Sequence, residues 1–437
     1  MRKGLRRPAQ KALAMDELSS ALQRHFGHDA FIPPQEEIVA DLLAGKDVFA
    51  LLPTGAGKSL CYQLPALLMD GLSIVVSPLI ALMKDQVDAL LMRGISASCL
   101  HSGMGYSEMQ SERKRLQEGK IKILYLAPER ILIPEFLGFL ETLNVSLIAV
   151  DEAHCISEWG HEFRPAYRQL RTLRERFPEV PTIALTATAI QGVQREIIDL
   201  LGLVRPRIYK ASFNRPNLFY QVKPKDEGLD HLRSFMRERR GQSGIVYCLS
   251  QKSTEQVATW LQHQGHVALP YHAGLDPHVR EKTQNSFIRG EVNVVVATIA
   301  FGMGIDKPDI RFVVHHDLPK DLESYYQETG RAGRDGLPSD CLLLFRAGDR
   351  WKMEYLISQG ADEVKRRIAL RKFQEMVGFC KTRGCRRKAL LAYFGESLET
   401  ANCGGCDNCT GTGLAVEAEV APRRVQRKRS PRVRRKE

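Results

Sequence analysis

Long apolar runs are missing from this chain. The longest candidate, residues 72–83, is interrupted by Ser77 and Pro78 and falls well short of the ~18–20 residues that span a bilayer. A helical membrane protein is excluded and a soluble one is expected. Cysteine is sparse: ten in 437 residues make no secreted disulfide framework and point to a reducing compartment. Cys61, Cys99, Cys155, Cys248 and Cys341 stand alone and read as small buried residues. The histidines show no zincin-type spacing, and the adjacent pair His315-His316 is poorly arranged for chelation on a strand. No solenoid repeat is visible. Serine is missing from residues 1–15, which weakens a transit-peptide reading. An apolar content of 43% excludes bulk disorder.

Acid is nearly missing at both ends. Residues 1–11 hold five basic residues and no acid, and residues 421–437 hold nine against Glu437 alone. These arms account for almost all of the net charge of +12 and leave residues 12–420 close to neutral. Such arms attract polyanions without sequence preference, or serve only as solvated termini. Beyond residue 411, scarce aromatics and abundant arginine predict a disordered tail.

What is present is alternation. β-rich runs at 48–52, 74–77, 121–126, 146–150 and 182–185 are separated by helical patterns such as 79–93 and 192–201. The rhythm pauses at a connector over 204–215, bracketed by Pro206 and Pro216. It resumes with runs at 218–222, 245–249, 294–297, 312–315 and 342–345. This predicts an α/β fold of two tandem lobes, each a mostly parallel sheet covered by helices. A basic helical segment follows, periodic over 364–379. The boundaries expected are 1–22 for a basic arm and leading helix, 23–208 and 209–346 for the lobes, 347–411 for a helical metal-binding subdomain and 412–437 for the tail.

Residues 52–59, Leu-Pro-Thr-Gly-Ala-Gly-Lys-Ser, follow a β-rich run and precede a helical one, the setting of a phosphate-binding loop. Thr54, Gly55, Ala56 and Gly57 would close backbone N–H groups around phosphate oxygens. Lys58 would reach the β- and γ-phosphates, and the Ser59 hydroxyl would hold Mg²⁺. Leu52 stands where the strict motif has glycine. A second run, 146–150, ends in Asp151-Glu152-Ala153-His154. At the carboxyl end of a parallel strand, Asp151 is placed to anchor Mg²⁺ and Glu152 to take a proton from an attacking water. Alone, such a pair would more simply cap a helix. In the second lobe, Arg331 and Arg334 fall on one face if their stretch is helical. Either they neutralise charge on a transferring phosphoryl group, or they belong to a salt-bridged surface turn.

Cys403, Cys406 and Cys409 form C-x2-C-x2-C, with Cys385 and Cys380 upstream as possible fourth ligands. Four thiolates suit a structural Zn²⁺. An iron–sulfur cluster competes on spacing, but the x3-Cys-Pro that completes a ferredoxin run is missing.

Taken in order, residues 51–63, 77–83, 127–130, 151–154, 186–188, 271–274, 297–308 and 327–336 resemble the motifs of superfamily 2 helicases, specifically the RecQ family. The resemblance covers about residues 26–409. It implies two RecA-like lobes with ATP bound between them, 3′-to-5′ movement on single-stranded DNA, and single-stranded and tailed or forked duplex DNA as partners, in repair and recombination. It makes Arg334 the arginine finger with Arg331 beside it, and His154 the link between ATP and DNA. It gives Gln35 the adenine contacts, although Ile32 and Pro34 replace an arginine and a glycine usual nearby. Residues 155–167 resemble the family's aromatic-rich loop, in which Trp159, His161, Phe163 and Arg164 would meet DNA. Bases stack on such rings for ~1–3 kcal/mol each, unless the rings are ordinary core aromatics. The resemblance selects Cys385 with Cys403, Cys406 and Cys409 as zinc ligands. Many relatives continue into winged-helix and HRDC domains, for which little sequence follows Cys409, so unwinding strength is in question. An RNA helicase, or an annealing module with a vestigial ATPase, are the competing functions. Residence would be cytoplasmic and nucleoid-associated in a bacterium, nuclear in a eukaryote. Arg427–Arg432 would pass for a nuclear signal.

Overall fold

The computed structural model describes residues 15–101, 103–158, 163–225, 229–302, 305, 307–360 and 362–413. Both basic arms, the expected disordered tail beyond 413, and Trp159 and His161 lie outside the described residues.

Among the described residues, seven strands form the first sheet: β1 (Val48–Leu51), β2 (Leu72–Val76), β3 (Ala97–Leu100), β4 (Ile123–Leu126), β5 (Val145–Val150), β6 (Thr182–Thr186) and β7 (Arg207–Lys210). Six form the second: β8 (Leu218–Pro224), β9 (Gly244–Tyr247), β10 (Ala268–Tyr271), β11 (Val294–Ala297), β12 (Phe312–His315) and β13 (Ser339–Phe345). The spatial orders are β3-β4-β2-β5-β6-β1-β7 and β10-β11-β9-β12-β13-β8, and each sheet is wholly parallel. Strands β1, β2, β4, β5 and β6 are buried throughout, as parallel strands between helical layers must be.

The helical patterns at 79–93, 192–201 and 364–379 correspond to Ile80–Met92, Gln191–Leu201 and Glu363–Lys381. Three strands escaped the sequence reading. Ser98 and Cys99 dilute the apolar signal in β3, and Pro270 interrupts β10. Strand β7, with an almost fully exposed pattern, lies inside the presumed connector. It adds to the edge of the first sheet beside β1, pairing Val48 with Arg207 and Leu51 with Lys210.

The true connector is therefore shorter, and it is clamped. Phe213 stacks on Phe394 at 4.4 Å between ring centroids, and its carbonyl accepts from the Tyr326 hydroxyl at 3.0 Å. The helical region that follows β13 shares the hydrophobic core of the second lobe through Phe373, Met376 and Phe379.

Candidate functional site

The loop 52–59 leaves the carboxyl end of β1, and its shape explains the residue that breaks the strict motif. Leu52 is still in register with the sheet, donating its N–H to the Thr186 carbonyl at 3.0 Å, and its side chain is core. Glycine is required further on, where Gly55 has φ +88° and Gly57 φ +66°, a left-handed backbone that other residues adopt only with strain. A Cβ on Gly57 would also collide with the Gln35 amide. The helix Leu60–Leu68 begins after Ser59 and aims its N-terminus at the loop.

Lys58 donates to the Leu52 carbonyl at 3.3 Å. Burial lowers its pKa, against the opposing pull of Glu152 and Asp151. Asp151 follows the last residue of β5, with its N–H on the Val76 carbonyl at 2.9 Å and its own carbonyl accepting from the Tyr167 hydroxyl at 3.0 Å. Burial first, and the Glu152 carboxylate next, push the Asp151 carboxyl up to about 7. Burial works the same way on Glu152, but the His154 ring, Lys58 and Arg331 together outweigh it and the Glu152 carboxyl ends low. Glu152 also has φ +46°, a strained conformation for a non-glycine residue of the kind that collects at functional sites.

A cleft of about 490 Å³ holds the predicted groups together. Thr54, Gly55, Gly57, Lys58, Ser59, Asp151 and Glu152 line it from the first lobe, and Gln327, Arg331 and Arg334 from the second. The arginines do not share a helical face. The helix Leu322–Thr329 ends before them, and residues 330–335 are turns. Their convergence comes from that loop folding over the phosphate loop. Arg331 is buried and bonded to the Gly302 carbonyl. The stem of Arg334 lies 3.6 Å from where a Cβ on Gly55 would stand. The fit to a nucleotide with Mg²⁺ is chemical: glycine-shaped backbone and a lysine for phosphates, and a hydroxyl and a carboxyl, Ser59 and Asp151, for a hard cation.

Gln35 and Ala56 are not among the residues that line the cleft. The Gln35 side chain accepts the Ile32 N–H at 2.9 Å and donates to the carbonyls of Ala56 and Gly57 at 3.1 and 3.2 Å. Its amide thus tethers the phosphate loop, and Ile32 contributes backbone only. His154 is fully buried, with Nδ1 2.9 Å from Thr186 Oγ1 and 3.2 Å from Glu152 Oε2. This chain runs from the carboxylate to Thr186, the last residue of the neighbouring strand β6. Arg164 donates to the Pro78 carbonyl at 2.8 Å. Phe163 is half-buried beneath two cations, Arg168 at 5.7 Å and Lys365 at 5.5 Å from its ring centroid. Lys365 also pairs with Glu158 at 3.1 Å, which ties the helix Glu363–Lys381 to the first lobe.

Sequence reasoning missed Arg215. Its guanidinium donates to the Thr54 carbonyl at 3.1 Å in the first lobe and to the carbonyls of Gly330, Ala332 and Gly333 at 3.3, 2.9 and 2.8 Å in the second. It binds the phosphate loop to the arginine loop. The only hint was a lone arginine before Pro216 in a segment read as a spacer.

The sulfurs of Cys385, Cys403, Cys406 and Cys409 lie within 4.8 Å of one another. Backbone N–H groups of Gly405 and Lys388 point at the sulfurs of Cys403 and Cys385, at 3.3 and 3.4 Å, as they would toward zinc-bound thiolates. Cys380 is elsewhere, buried in the core, with its thiol pushed up to about 12 by burial. The knuckle covers the outer edge of β8. Tyr220 N–H donates to Gly405, Asp407 N–H to Tyr220, and Val222 N–H to the Asp407 carboxylate, at 3.1, 3.0 and 2.9 Å. An edge strand is thereby closed to other chains. Asp407 also pairs with Arg386, both almost completely buried. Removing one partner of a buried pair leaves the other charge uncompensated, at a cost of ~3–5 kcal/mol. Asp407→Ala is expected to lose about that much stability in urea denaturation and to retain less zinc. An unchanged midpoint would show that the pair contributes little.

Comparison with known proteins follows the same divisions. Residues 32–196 match the family described as DEAD/DEAH box helicase, 227–336 the helicase conserved C-terminal domain, and 347–410 the RecQ zinc-binding domain. The chain is 45% identical to ATP-dependent DNA helicase RecQ of Pasteurella multocida, over 91% of this chain and 62% of that one. It is 43% identical to the protein of that name from Bacillus subtilis, over 91% and 67%. ATP-dependent DNA helicase Q1 of Rattus norvegicus is 40% identical, over 90% and 65%. The chain thus spans about three fifths to two thirds of these relatives' lengths. Among solved structures, Mycobacterium smegmatis helicase Lhr bound to ssDNA and AMP-PNP aligns with a TM-score of 0.61 at 20% identity, over 79% of this chain and 49% of that one. S. cerevisiae Dbp5 bound to RNA and ADP BeF3 aligns with a TM-score of 0.61 at 16% identity, over 82% and 99%. At such identities the shared property is the two-lobed fold. No described helix is long and apolar enough to cross a membrane.

Proposed function

Because the chain belongs to the RecQ family of helicases, we propose that it is an ATP-dependent DNA helicase, moving 3′ to 5′ on single-stranded DNA and separating duplex in repair and recombination. The observation that carries this reading is the composite cleft, with carboxylates and the phosphate loop on one lobe and arginines on the other. A site divided between two bodies turns over only when they close, and repeated closure is what a motor needs.

In this reading Thr54, Gly55, Ala56 and Gly57 cradle the phosphates, and Lys58 reaches their outer oxygens. Mg²⁺, when held by Ser59 and Asp151, supplies charge neutralisation on the β- and γ-phosphates. Glu152 takes the proton of the attacking water. Arg334 offsets charge on the transferred phosphoryl group, with Arg331 holding the loop that presents it. Gln35 exchanges its loop carbonyls for the adenine edge. His154 passes the state of Glu152 toward the DNA face, where Trp159, His161, Phe163 and Arg164 meet single-stranded DNA. Cys385, Cys403, Cys406 and Cys409 hold a structural Zn²⁺. The expected compartment is the nucleoid or nucleus, wherever the DNA is.

The test is strand displacement, with Mg²⁺ and ATP, on matched duplexes bearing a 3′ or a 5′ single-stranded tail. Displacement confined to the 3′-tailed duplex is expected. Displacement from the 5′ tail would reverse the assigned polarity, and none from either would leave a translocase or an annealing module.

A further inference from the structure

Strands β9 and β12 are neighbours in parallel register, with Tyr247 opposite His315. The next position on each strand therefore faces the other, and the His316 N–H donates to the Tyr247 carbonyl at 2.9 Å. This sets Cys248 beside His316 and Asp317 at the carboxyl edge of the second sheet, where open parallel sheets gather ligands. The adjacent histidines, unpromising in sequence, go separate ways. His315 Nε2 is engaged by Glu328 at 2.7 Å, while His316 joins the cysteine and the aspartate. One donor atom from each of Cys248, His316 and Asp317 lies within 4.8 Å of the others. Cys248 and His316 are 5% and 8% exposed. His316 Nδ1 is buried and stands 3.3 Å from Asp317 Oδ2.

We propose that Cys248, His316 and Asp317 form a second transition-metal site of the zinc class, separate from the four-cysteine knuckle. Thiolate, imidazole and carboxylate together select a borderline-soft ion over Mg²⁺ or Ca²⁺. Three protein ligands leave a fourth position for water. Ligands about 2.0–2.3 Å from zinc stand about 3.5 Å apart, so the three donors would draw in from their present spacing of up to 4.8 Å, with Asp317 Oδ2 now accepting the Leu249 N–H at 2.9 Å. The charge balance permits it. Lys225 pairs with Asp317 Oδ1 at 2.6 Å and with Asp349 Oδ2 at 3.3 Å, so it keeps Asp349 when Asp317 turns to a metal. Burial and the neighbouring Asp317 carboxylate push the Cys248 thiol well above its ordinary range, so binding has to displace the Cys248 proton to solvent. The bound ion would pin the loop entering the helix Gln251–His263 to the end of β12.

The test is a Co²⁺ titration of the full, zinc-replete chain, followed by thiolate-to-cobalt absorption with released zinc measured in parallel. One added equivalent with a thiolate band and no zinc release is expected. The band should vanish in Cys248→Ala and the equivalent should be lost in His316→Phe, while both variants keep the knuckle zinc and a folded circular-dichroism spectrum. A wild-type chain that takes up no cobalt without releasing zinc overturns the proposal and leaves a plain His316–Asp317 ion pair. A band that persists in Cys248→Ala overturns it as well, and the wild-type titration decides even where a variant fails to fold.

Discussion

Arg334→Ala is expected to reduce DNA-stimulated ATP turnover by ~10³-fold or more, the range in which arginine fingers act, with a much smaller change in KM for ATP. The side chain comes from the second lobe and its stem lies against Gly55 of the first, in a cleft it shares with Lys58 and Glu152. In the proposed mechanism its charge acts when the lobes close and negative charge spreads over the transferring group, a transition-state rather than a ground-state interaction. Lysine, a compact point charge without the planar fork, should rescue little. Steady-state kinetics of Arg334→Ala and Arg334→Lys separate the cases. A raised KM with kcat intact would make Arg334 a ground-state phosphate contact.

Glu152→Gln is expected to lower kcat by ~10²–10⁴-fold, the usual contribution of a positioned general base, while nucleotide binding survives. The amide has nearly the size of the carboxyl, so the left-handed backbone at Glu152 is strained no further. What disappears is the charge facing His154 and, in the proposed mechanism, the proton acceptor. Fluorescent-nucleotide binding alongside single-turnover hydrolysis checks both halves. Hydrolysis at the wild-type rate would move the base elsewhere, and loss of binding would make Glu152 a ligand-organising residue.

The sequence disclosed the candidate residues better than their geometry. Lys58, Ser59, Asp151 and Glu152 were legible because phosphate loops and post-strand acids need particular residue types at particular steps. Leu52 looked like a defect only because the motif was read as letters; in the sheet, that position needs no glycine. Arg331 and Arg334 were found for a conditional reason, helical spacing, that does not hold, since a loop rather than a helix brings them in. Arg215 was invisible because its partners are backbone carbonyls about 115 positions away or more, and carbonyls leave no mark on residue type. Strand β7 was lost for a related reason. An edge strand with exposed side chains carries no apolar alternation, so only its partner β1 reveals it. Spacing alone allowed both Cys380 and Cys385; the family resemblance selected Cys385, and that is the thiol that turns toward the other three.

The most direct measurement is ATP hydrolysis by the full chain, with Mg²⁺, in the presence and absence of single-stranded DNA, with Glu152→Gln protein as the contamination control. A rate that rises severalfold or more with DNA, and is lost in the variant, is the result expected if closure of the two lobes over the cleft is coupled to DNA. A wild-type rate that DNA leaves unchanged would contradict that coupling.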